Sequence, residues 1–170
     1  MVKTILDNFC VKSGILCTRC QDKLKKGQVT DLDVRTIRML SELEGVYPII
    51  GDIHFHRAVE ADNTLAVIVN RRDIPRILSY GGKIVRALGE KTDRKVKILG
   101  QGGDPRQFLE ELFSPLSILT INTVWLPDGS TETKVILPGR RPNRMPIDLE
   151  ITRKLAKDIQ GMTLRIEFER

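Results

Sequence analysis

Several features of secreted, membrane-spanning or disulfide-stapled proteins are absent from this sequence. No apolar run reaches the ~18 residues that a membrane-spanning helix needs. The N-terminus, MVKTILDNFCVKSGIL, has neither a long apolar stretch nor a small-residue cleavage site for secretion. The chain has three cysteines, an odd number that argues against a disulfide framework. We therefore expect a cytoplasmic protein without a membrane partner.

Aromatic residues are also scarce, at 5% of the 170 residues, whereas 41% are hydrophobic. The core must therefore be aliphatic, and the chain is long enough for one domain or two small ones. Charged residues of both signs make up 29% of the chain, which argues against global disorder. The net charge of +6 favours an anionic partner, and nucleic acid is the first choice.

Catalytic motifs are missing as well. The glycine-rich residues 100–103 lack the Lys-Ser/Thr of a phosphate-binding P-loop, and His54-Phe55-His56 lacks a glutamate at metalloprotease spacing. Carboxylate pairs such as Glu110 and Glu111 lie on a predicted helix surface, where solvated charges are the usual interpretation. We therefore predict that the protein is not an enzyme, and no motif supports a small nucleic-acid-modifying enzyme.

What the chain does contain is an internal repeat of predicted elements, separated by about 70 residues. Apolar spacing and turn residues predict helix, strand, strand, helix, strand in both copies. The copies differ after the hairpin, where the first has a short helix and a glycine break and the second has prolines instead. The predicted elements of the first copy are a helix over 30–43, strands over 47–59 and 64–69, helices from 73 and 84, and a strand over 96–99. Those of the second are a helix from 104, strands over 117–126 and 131–137, a helix over 149–159, and a strand over 162–168.

The glycine break lies in the most basic stretch of the chain. Residues 71–99 hold nine Lys/Arg against three Asp/Glu, and Ser79-Tyr80-Gly81-Gly82-Lys83 lies between two helical patterns. Such a break offers backbone amides and cations to phosphate. The alternative is a plain turn between two surface helices with solvated charges.

An αββααβ unit with a glycine-rich break between its last two helices resembles the type II K-homology (KH) fold. Two units in tandem resemble the KH pair of the transcription factor NusA, most closely its short archaeal form. Three motifs carry this resemblance over roughly residues 31–168. They are ILSYGGKIVRAL at 77–88, KVKIL at 95–99 and LFSPL at 112–116. The resemblance implies an α+β fold with a first KH domain at 31–100 and a second, degenerate one at 101–170. Residues 1–30 form a separate Cys-rich segment before them.

The resemblance also implies binding of single-stranded RNA by the first unit, in transcription elongation or termination, with RNA polymerase as a further partner. A G-x-x-G loop clamps the backbone of about four nucleotides. Here Gly81, Gly82 and Lys83 would hold phosphate, Ser79 would donate a hydrogen bond, and Tyr80 would stack on a base or merely cover the loop. The remaining implied RNA-binding residues are Arg71, Arg72, Arg76 and Arg86.

The chain departs from the KH pattern at two places. Ser79 occupies the position of the first loop glycine, which implies a weaker or altered clamp. In the second unit the loop's counterpart lies within residues 144–148, which contain no glycine. This second departure favours an alternative from another class, an assembly factor that docks on RNA polymerase or a ribosomal particle and uses the KH folds as a scaffold.

The three cysteines, Cys10, Cys17 and Cys20, all lie in the first 30 residues. Thiolates at C-x6-C-x2-C spacing can converge on one structural zinc ion, which needs a fourth ligand. His54 or His56 on the first hairpin is the predicted donor, and it would tie the N-terminal segment to the first unit. The alternatives are reduced thiols, or one disulfide and a free thiol. No thioredoxin-like context supports redox catalysis.

Overall fold

The computed structural model describes residues 1–169 and has a mixed α+β architecture. Residues 1–169 contain seven α-helices and two three-stranded sheets, which confirms the predicted fold class at that level. The chain divides into two compact units, Met1–Gln101 and Gly102–Arg170. None of the helices within residues 1–169 has the length and apolar character that crossing a bilayer requires.

The first unit combines five helices with one sheet. Strand β1 is antiparallel to β2, and β2 is parallel to β3, so β2 is the central strand. All six residues of β2 are buried, as expected for a continuous apolar strand. The elements are α1 (Asn8–Ser13), α2 (Thr18–Lys25), α3 (Asp31–Glu44), β1 (Phe55–Ala61), β2 (Thr64–Val69), α4 (Ile74–Leu78), α5 (Lys83–Thr92) and β3 (Lys95–Gly100).

The second unit repeats this sheet with fewer helices. Strand β4 is antiparallel to β5, and β5 is parallel to β6. One helix, α7, connects the two parallel strands, where the first unit has two. The elements are α6 (Pro105–Phe113), β4 (Thr120–Trp125), β5 (Thr131–Leu137), α7 (Leu149–Gln160) and β6 (Leu164–Phe168). The predicted order of elements is therefore present in both units.

Polar side chains begin the main helices where the sequence predicts. The Thr30 hydroxyl accepts the Asp33 amide at 3.1 Å, while Asp33 Oδ2 accepts the Thr30 amide at 2.9 Å, so the two residues form a capping box. Asp33 is buried, and its Oδ1 also accepts the Ala58 amide of β1 at 2.7 Å. One carboxylate therefore caps α3 and attaches it to the sheet.

The first hairpin begins later than the alternating pattern predicts. Residues Pro48–Asp52 form a 3-10 turn, and β1 starts only at Phe55. Pro48 stands at the first position of this turn, where its fixed φ and missing amide are tolerated. Ile50 and Ile53 are fully buried. Their apolar character therefore reflects core packing beside the sheet as well as strand structure.

The N-terminal segment is joined to the first unit by its backbone. Lys3 forms a parallel β-bridge with His54: its amide donates to the Ile53 carbonyl at 2.9 Å and its carbonyl accepts the Phe55 amide at 2.8 Å. Apolar side chains of this segment belong to the same core as α3 and β2, among them Val2, Leu6 and Val11. Residues 1–30 thus form two short helices that complete the core of the first unit.

Candidate metal centre and candidate nucleic-acid interface

Four potential metal ligands converge at the start of the chain. One ligand atom from each of Asp7, Cys10, Cys17 and Cys20 lies within 4.8 Å of all the others. All three cysteines are free thiols. Thiolate and carboxylate are both ligands of Zn²⁺, and four protein ligands fill the tetrahedral shell that structural sites use. The group can therefore hold a metal ion without help from any other residue.

Two helix ends bring these side chains together. Asp7 immediately precedes α1 and Cys10 lies within it, and Gly14 ends the helix in a left-handed conformation with φ of 76°. Gly14 donates its amide to the Cys10 carbonyl at 3.1 Å. The chain then turns back so that Cys17 caps the N-terminus of α2 and Cys20 follows one turn later. The C-x-x-C pair thus lies on a helix N-terminus, a position that favours thiolate.

Backbone amides point at the sulfur atoms. The Cys17 amide donates to Cys10 Sγ at 3.2 Å, and the Asp7 amide donates to Cys20 Sγ at 3.5 Å. The Cys17 thiol donates to Asp7 Oδ2 at 3.5 Å. Amide donors of this kind stabilise negative charge on sulfur and orient the ligands, as outer-shell hydrogen bonds do in metal sites.

The surroundings shift the pKa values of Cys10 and Cys17 in opposite directions. A hydrogen bond from the Cys20 backbone amide, followed by one from the Cys10 side chain, lowers the pKa of Cys17. For Cys10 the largest single influence, the Cys17 amide, lowers the pKa. Burial and the neighbouring Cys17 and Cys20 side chains outweigh it, and they raise the pKa of Cys10 to about 11. Cys17 is therefore the first of these two thiols to become a ligand-competent thiolate.

The fourth member of the cluster is Asp7, and neither predicted histidine belongs to it. The His54 amide instead donates to the buried Asp73 carboxylate at 3.0 Å. The His56 ring lies 2.5 Å from Asn70 Oδ1. The N-terminal segment is attached near the first hairpin by a different contact, the backbone bridge between Lys3 and His54, which involves no metal ligand.

The second candidate site is the Ser79–Lys83 loop between α4 and α5. Gly81 and Gly82 both adopt left-handed conformations, with φ of 63° and 79°. A side-chain carbon at either position would meet no atom within 4 Å, so the loop faces open space. Within residues 1–169, neither glycine amide donates a hydrogen bond to the protein. Both amides are therefore available to an external acceptor at the N-terminus of α5.

Exposed cations lie on the helices before and after this loop. Lys83 and Arg86 lie three residues apart on α5, a spacing that places them on the same helix face. Arg72 and Arg76 line a polar cavity of about 370 Å³ together with Lys3 and two acids, Asp52 and Asp73. Lys3 is a basic residue that the sequence did not associate with this region, because 69 positions separate it from Arg72. Its place follows from the β-bridge to His54.

Three predicted RNA-binding residues have partners within the first unit. The Ser79 hydroxyl donates to the Arg76 carbonyl at 2.6 Å, which satisfies the end of α4. Arg71 packs its side chain against Gly100, and its guanidinium donates to the Gly100 carbonyl at 3.3 Å. Tyr80 is 41% exposed and contacts Tyr47 edge to face, with ring centroids 5.5 Å apart. Tyr80 therefore supports the loop on one side and remains accessible on the other.

Buried Asp73 precedes α4 and anchors the start of this helix. The sequence did not indicate this role. Its carboxylate accepts the His54 amide, and Arg76 lies 3.9 Å away. Asp73 thereby connects the start of α4 to His54, the residue that forms the N-terminal bridge with Lys3. A buried acid beside a basic stretch has no signature in the local sequence, since its partner lies 19 residues earlier.

The second unit has no comparable loop within the described residues. Residues 138–148 form an irregular and mostly exposed segment between β5 and α7, with no helix before Asp148. Asp148 then caps α7 by accepting the Glu150 amide at 2.9 Å. Arg140, Arg141 and Arg144 in this segment are exposed. The segment therefore presents cations without an arrangement of free glycine amides before a helix.

Comparison with known proteins identifies a shared fold only. No family model and no curated protein matches this chain. A solved structure, "Crystal structure of APE1850", is similar to it with a TM-score of 0.54 at 15% sequence identity. The match covers 83% of this chain and 100% of the other. At that identity the similarity concerns the arrangement of elements and carries no information about ligands.

Proposed function

We propose that this protein binds single-stranded RNA without catalysing a reaction, and that the Ser79–Lys83 loop is the main contact. The observation that carries the proposal is the pair of left-handed glycines at the start of α5, whose amides donate no hydrogen bond to the protein within residues 1–169. Phosphate oxygens can approach a backbone that has no side chain, and the helix N-terminus adds positive potential. Lys83 and Arg86 then supply mobile cations beside the same backbone.

The order of elements supports a KH interpretation of this loop. Each unit has a helix, an antiparallel strand pair and a third strand parallel to the second, and in the first unit two helices flank the glycines. We propose that residues 31–100 and 101–170 are tandem type II KH domains and that the protein acts as a NusA-like factor in transcription elongation or termination. RNA polymerase is the protein partner that this role requires.

We further propose that Asp7, Cys10, Cys17 and Cys20, called the Cys3Asp group below, hold a structural zinc ion. Cys10 and Cys20 are almost completely buried, and the four side chains need no external ligand. A site of this kind stabilises a fold and leaves no open position for catalysis. The ion would hold α1 against α2. The β-bridge between Lys3 and His54 then attaches this segment beside the first strand of the first sheet.

A matched pair of glycine variants tests RNA binding. Gly82→Asp adds a carboxylate where phosphate would bind, whereas Gly139→Asp adds the same charge at another left-handed glycine, with φ of 75° and open surroundings. We expect Gly82→Asp to weaken binding of a labelled single-stranded RNA decamer at least tenfold in fluorescence anisotropy. Gly139→Asp should change it less than twofold. Equal affinities for the two variants would remove the loop from the proposal.

A second candidate function, an assembly factor that docks on RNA polymerase or a ribosomal particle, has one specific observation in its favour. Phe9 and Ile15 are 76% and 74% exposed, and both lie within the cysteine-rich segment. Exposed apolar side chains on a small rigid element are typical of protein contacts. Cross-linking at Phe9 with and without nuclease treatment distinguishes the candidates, because a contact that survives nuclease does not depend on RNA.

A further inference from the structure

A groove of about 410 Å³ lies on the first unit, lined by residues of α3, the β1–β2 hairpin and the end of α5. None of its lining residues belongs to the Ser79–Lys83 loop or to the cysteine cluster. The groove is therefore a separate feature, and the sequence did not indicate it because its walls come from four distant elements.

Positive charge dominates the walls of the groove. Arg35, Arg38, Lys91 and Arg94 face one carboxylate, that of Glu60. Arg35 and Arg38 are three residues apart on α3 and so share a helix face. The side chain of the exposed Arg35 makes no hydrogen bond or ion pair within residues 1–169. Such an excess of cations around a concave surface attracts an anion.

The other cations have partners that hold them at the rim. An Arg38 guanidinium nitrogen donates to the Gly14 carbonyl at 2.6 Å, and Lys91 pairs with Glu42 at 2.9 Å. Arg94 forms an ion pair with Glu60. These three side chains are therefore positioned, and Arg38 is attached to the turn between Cys10 and Cys17. Arg35 is the cation left available for a ligand.

The floor of the groove is apolar. Leu32 and Met39 of α3 are half-buried, and Leu65 of β2 is buried. Met is well suited to contact flat aromatic surfaces because its thioether is polarisable and flexible. An apolar floor beside guanidinium groups matches a ligand with one flat apolar part and one anionic part. A simple phosphate would leave the floor uncovered.

We propose that this groove binds a nucleotide, with its base over Leu32, Met39 and Leu65 and its phosphate at Arg35 and Arg38. The volume suits a single nucleotide, since ligand sites of this kind measure roughly 300–1,000 Å³. The same chemistry is present in a free nucleotide and in one nucleotide of an RNA strand. The groove goes beyond the proposed function, because it shares no residue with the loop that carries that function.

The test uses the full-length chain labelled with ¹⁵N, titrated with AMP, with ribose 5-phosphate and with a single-stranded A10 RNA. We expect amide shifts concentrated in residues 32–39 and 91–94. AMP should bind at least fivefold more tightly than ribose 5-phosphate, because only AMP covers the apolar floor. Shifts with AMP identify a free-nucleotide site, and shifts with A10 alone identify a site for one nucleotide of RNA.

Charge variants provide the matched comparison. Arg35→Glu should weaken nucleotide binding about tenfold or more, since a hydrogen bond to a charged group is lost and repulsion is added. Arg141→Glu, an exposed change of equal charge in the second unit, should have no effect. Glu60→Gln should strengthen binding about threefold, because it releases Arg94 from its carboxylate.

Three results would overturn the groove proposal: no shifts in α3 or α5 with any probe, binding of both AMP and ribose 5-phosphate with equal affinity, or equal effects of Arg35→Glu and Arg141→Glu. The Gly82→Asp variant distinguishes failure of the groove proposal from failure of RNA binding by the loop. It should bind AMP as the unmodified protein does, even though its affinity for the RNA decamer falls.

Discussion

The two units have the same sheet but differ in the connection between their parallel strands. In the first unit that connection is a short helix, a glycine loop and a second helix, and Ile77, Ile84 and Leu88 are buried. In the second it is an irregular segment followed by α7, and Ile147, Ile151 and Leu155 are buried instead. Each connection therefore places apolar side chains in a core, but only the first contains free glycine amides.

This difference shows which part of the connection the fold requires. A parallel strand pair needs a crossover that covers the sheet with apolar side chains, and a single helix is enough. The two glycines between α4 and α5 are not needed for that purpose, because the second sheet forms without them. A left-handed turn that requires glycine and that the fold does not need is a candidate for function.

The units also differ at their N-terminal side. Residues 1–30 complete the core of the first unit through Val2, Leu6 and Val11 and provide the Cys3Asp group. The second unit begins directly with α6, whose N-cap Asp104 accepts the Arg106 amide at 3.0 Å. Any stabilisation by a metal ion should therefore act mainly on residues 1–101.

The largest expected effect is a loss of stability that follows metal removal and is confined to the first unit. Cys20→Ser removes a completely buried ligand, so the protein should lose its metal and the first unit should lose more than about 3 kcal/mol of stability. Hydrogen exchange measured by mass spectrometry should show the loss in residues 1–101 and little change in 102–169. Protein prepared without chelator should contain about one equivalent of zinc.

Two controls sharpen this prediction. Asp22→Asn, an exposed change on the same helix, should retain the metal. Asp7→Ala should weaken zinc binding more than about tenfold, whereas His56→Ala should not alter it. If Asp7→Ala retained zinc and His56→Ala lost it, the fourth zinc ligand would be His56 of the hairpin and not Asp7.

A smaller effect compares the helix caps of the two units. Asp33→Ala removes a cap and leaves the buried Ala58 amide without its acceptor, so we expect a loss of about 3 kcal/mol. Asp148→Ala removes an exposed cap in the second unit and should cost only about 1 kcal/mol. Urea denaturation followed by hydrogen exchange in each unit measures both. Similar losses would mean that the link from Asp33 to β1 adds little.

The next effect compares the basic residues of the two connections. The double change Lys83→Ala with Arg86→Ala should weaken RNA binding about tenfold and reduce the salt dependence by about 1.4, since each phosphate contact contributes ~0.7 for a single strand. Arg141→Ala with Arg144→Ala removes equal charge from the second unit and should have a smaller effect. Anisotropy titrations from 50 to 200 mM salt provide the slopes. Equal slopes would show that binding depends on total charge alone.

The smallest effect concerns a lysine in the first sheet. Burial lowers the pKa of Lys97 to about 8, because desolvation disfavours the ammonium form. The unfolded chain then binds more protons between about pH 8 and 10.5, so stability rises with pH in that window. Lys97→Met should stabilise the first unit at pH 7 by about 1 kcal/mol after allowance for solvent screening. Above pH 10.5 the gain should vanish.

Lys95→Met on the same strand is the control for this lysine, because Lys95 is exposed. It should change stability little at either pH. Urea denaturation at pH 7 and pH 10 measures the difference between the two variants, and a gain for Lys97→Met that does not depend on pH would point to packing rather than charge.

Much of the local structure could be predicted from particular residues. Thr30 and Asp104 mark the starts of α3 and α6 at the predicted positions, and Gly161 ends α7 in a left-handed conformation with φ of 67°. These signals are local, because a cap or turn is satisfied by hydrogen bonds that span a few residues. The helical and strand periods supplied the rest of the repeat.

The candidate sites were only partly predictable. C-x6-C-x2-C spacing is visible in a sequence, and the thiols do converge, but Asp7 carries no mark that distinguishes it from other exposed acids. Its role depends on α1 turning it toward the sulfur atoms. Likewise, Lys3 joins Arg72 and Arg76 only because a β-bridge places it beside His54.

By itself the sequence determined the repeat, the caps, the basic glycine loop and the cysteine group, because each depends on neighbours along the chain. The tertiary structure decided the fourth metal-binding candidate, the backbone tie at Lys3, the buried roles of Asp33 and Asp73, and the groove beneath Arg35. These features depend on contacts between residues that lie far apart in sequence. They form when α1, α3, α5 and the first sheet pack together. A local sequence pattern does not show which distant residues will be in contact.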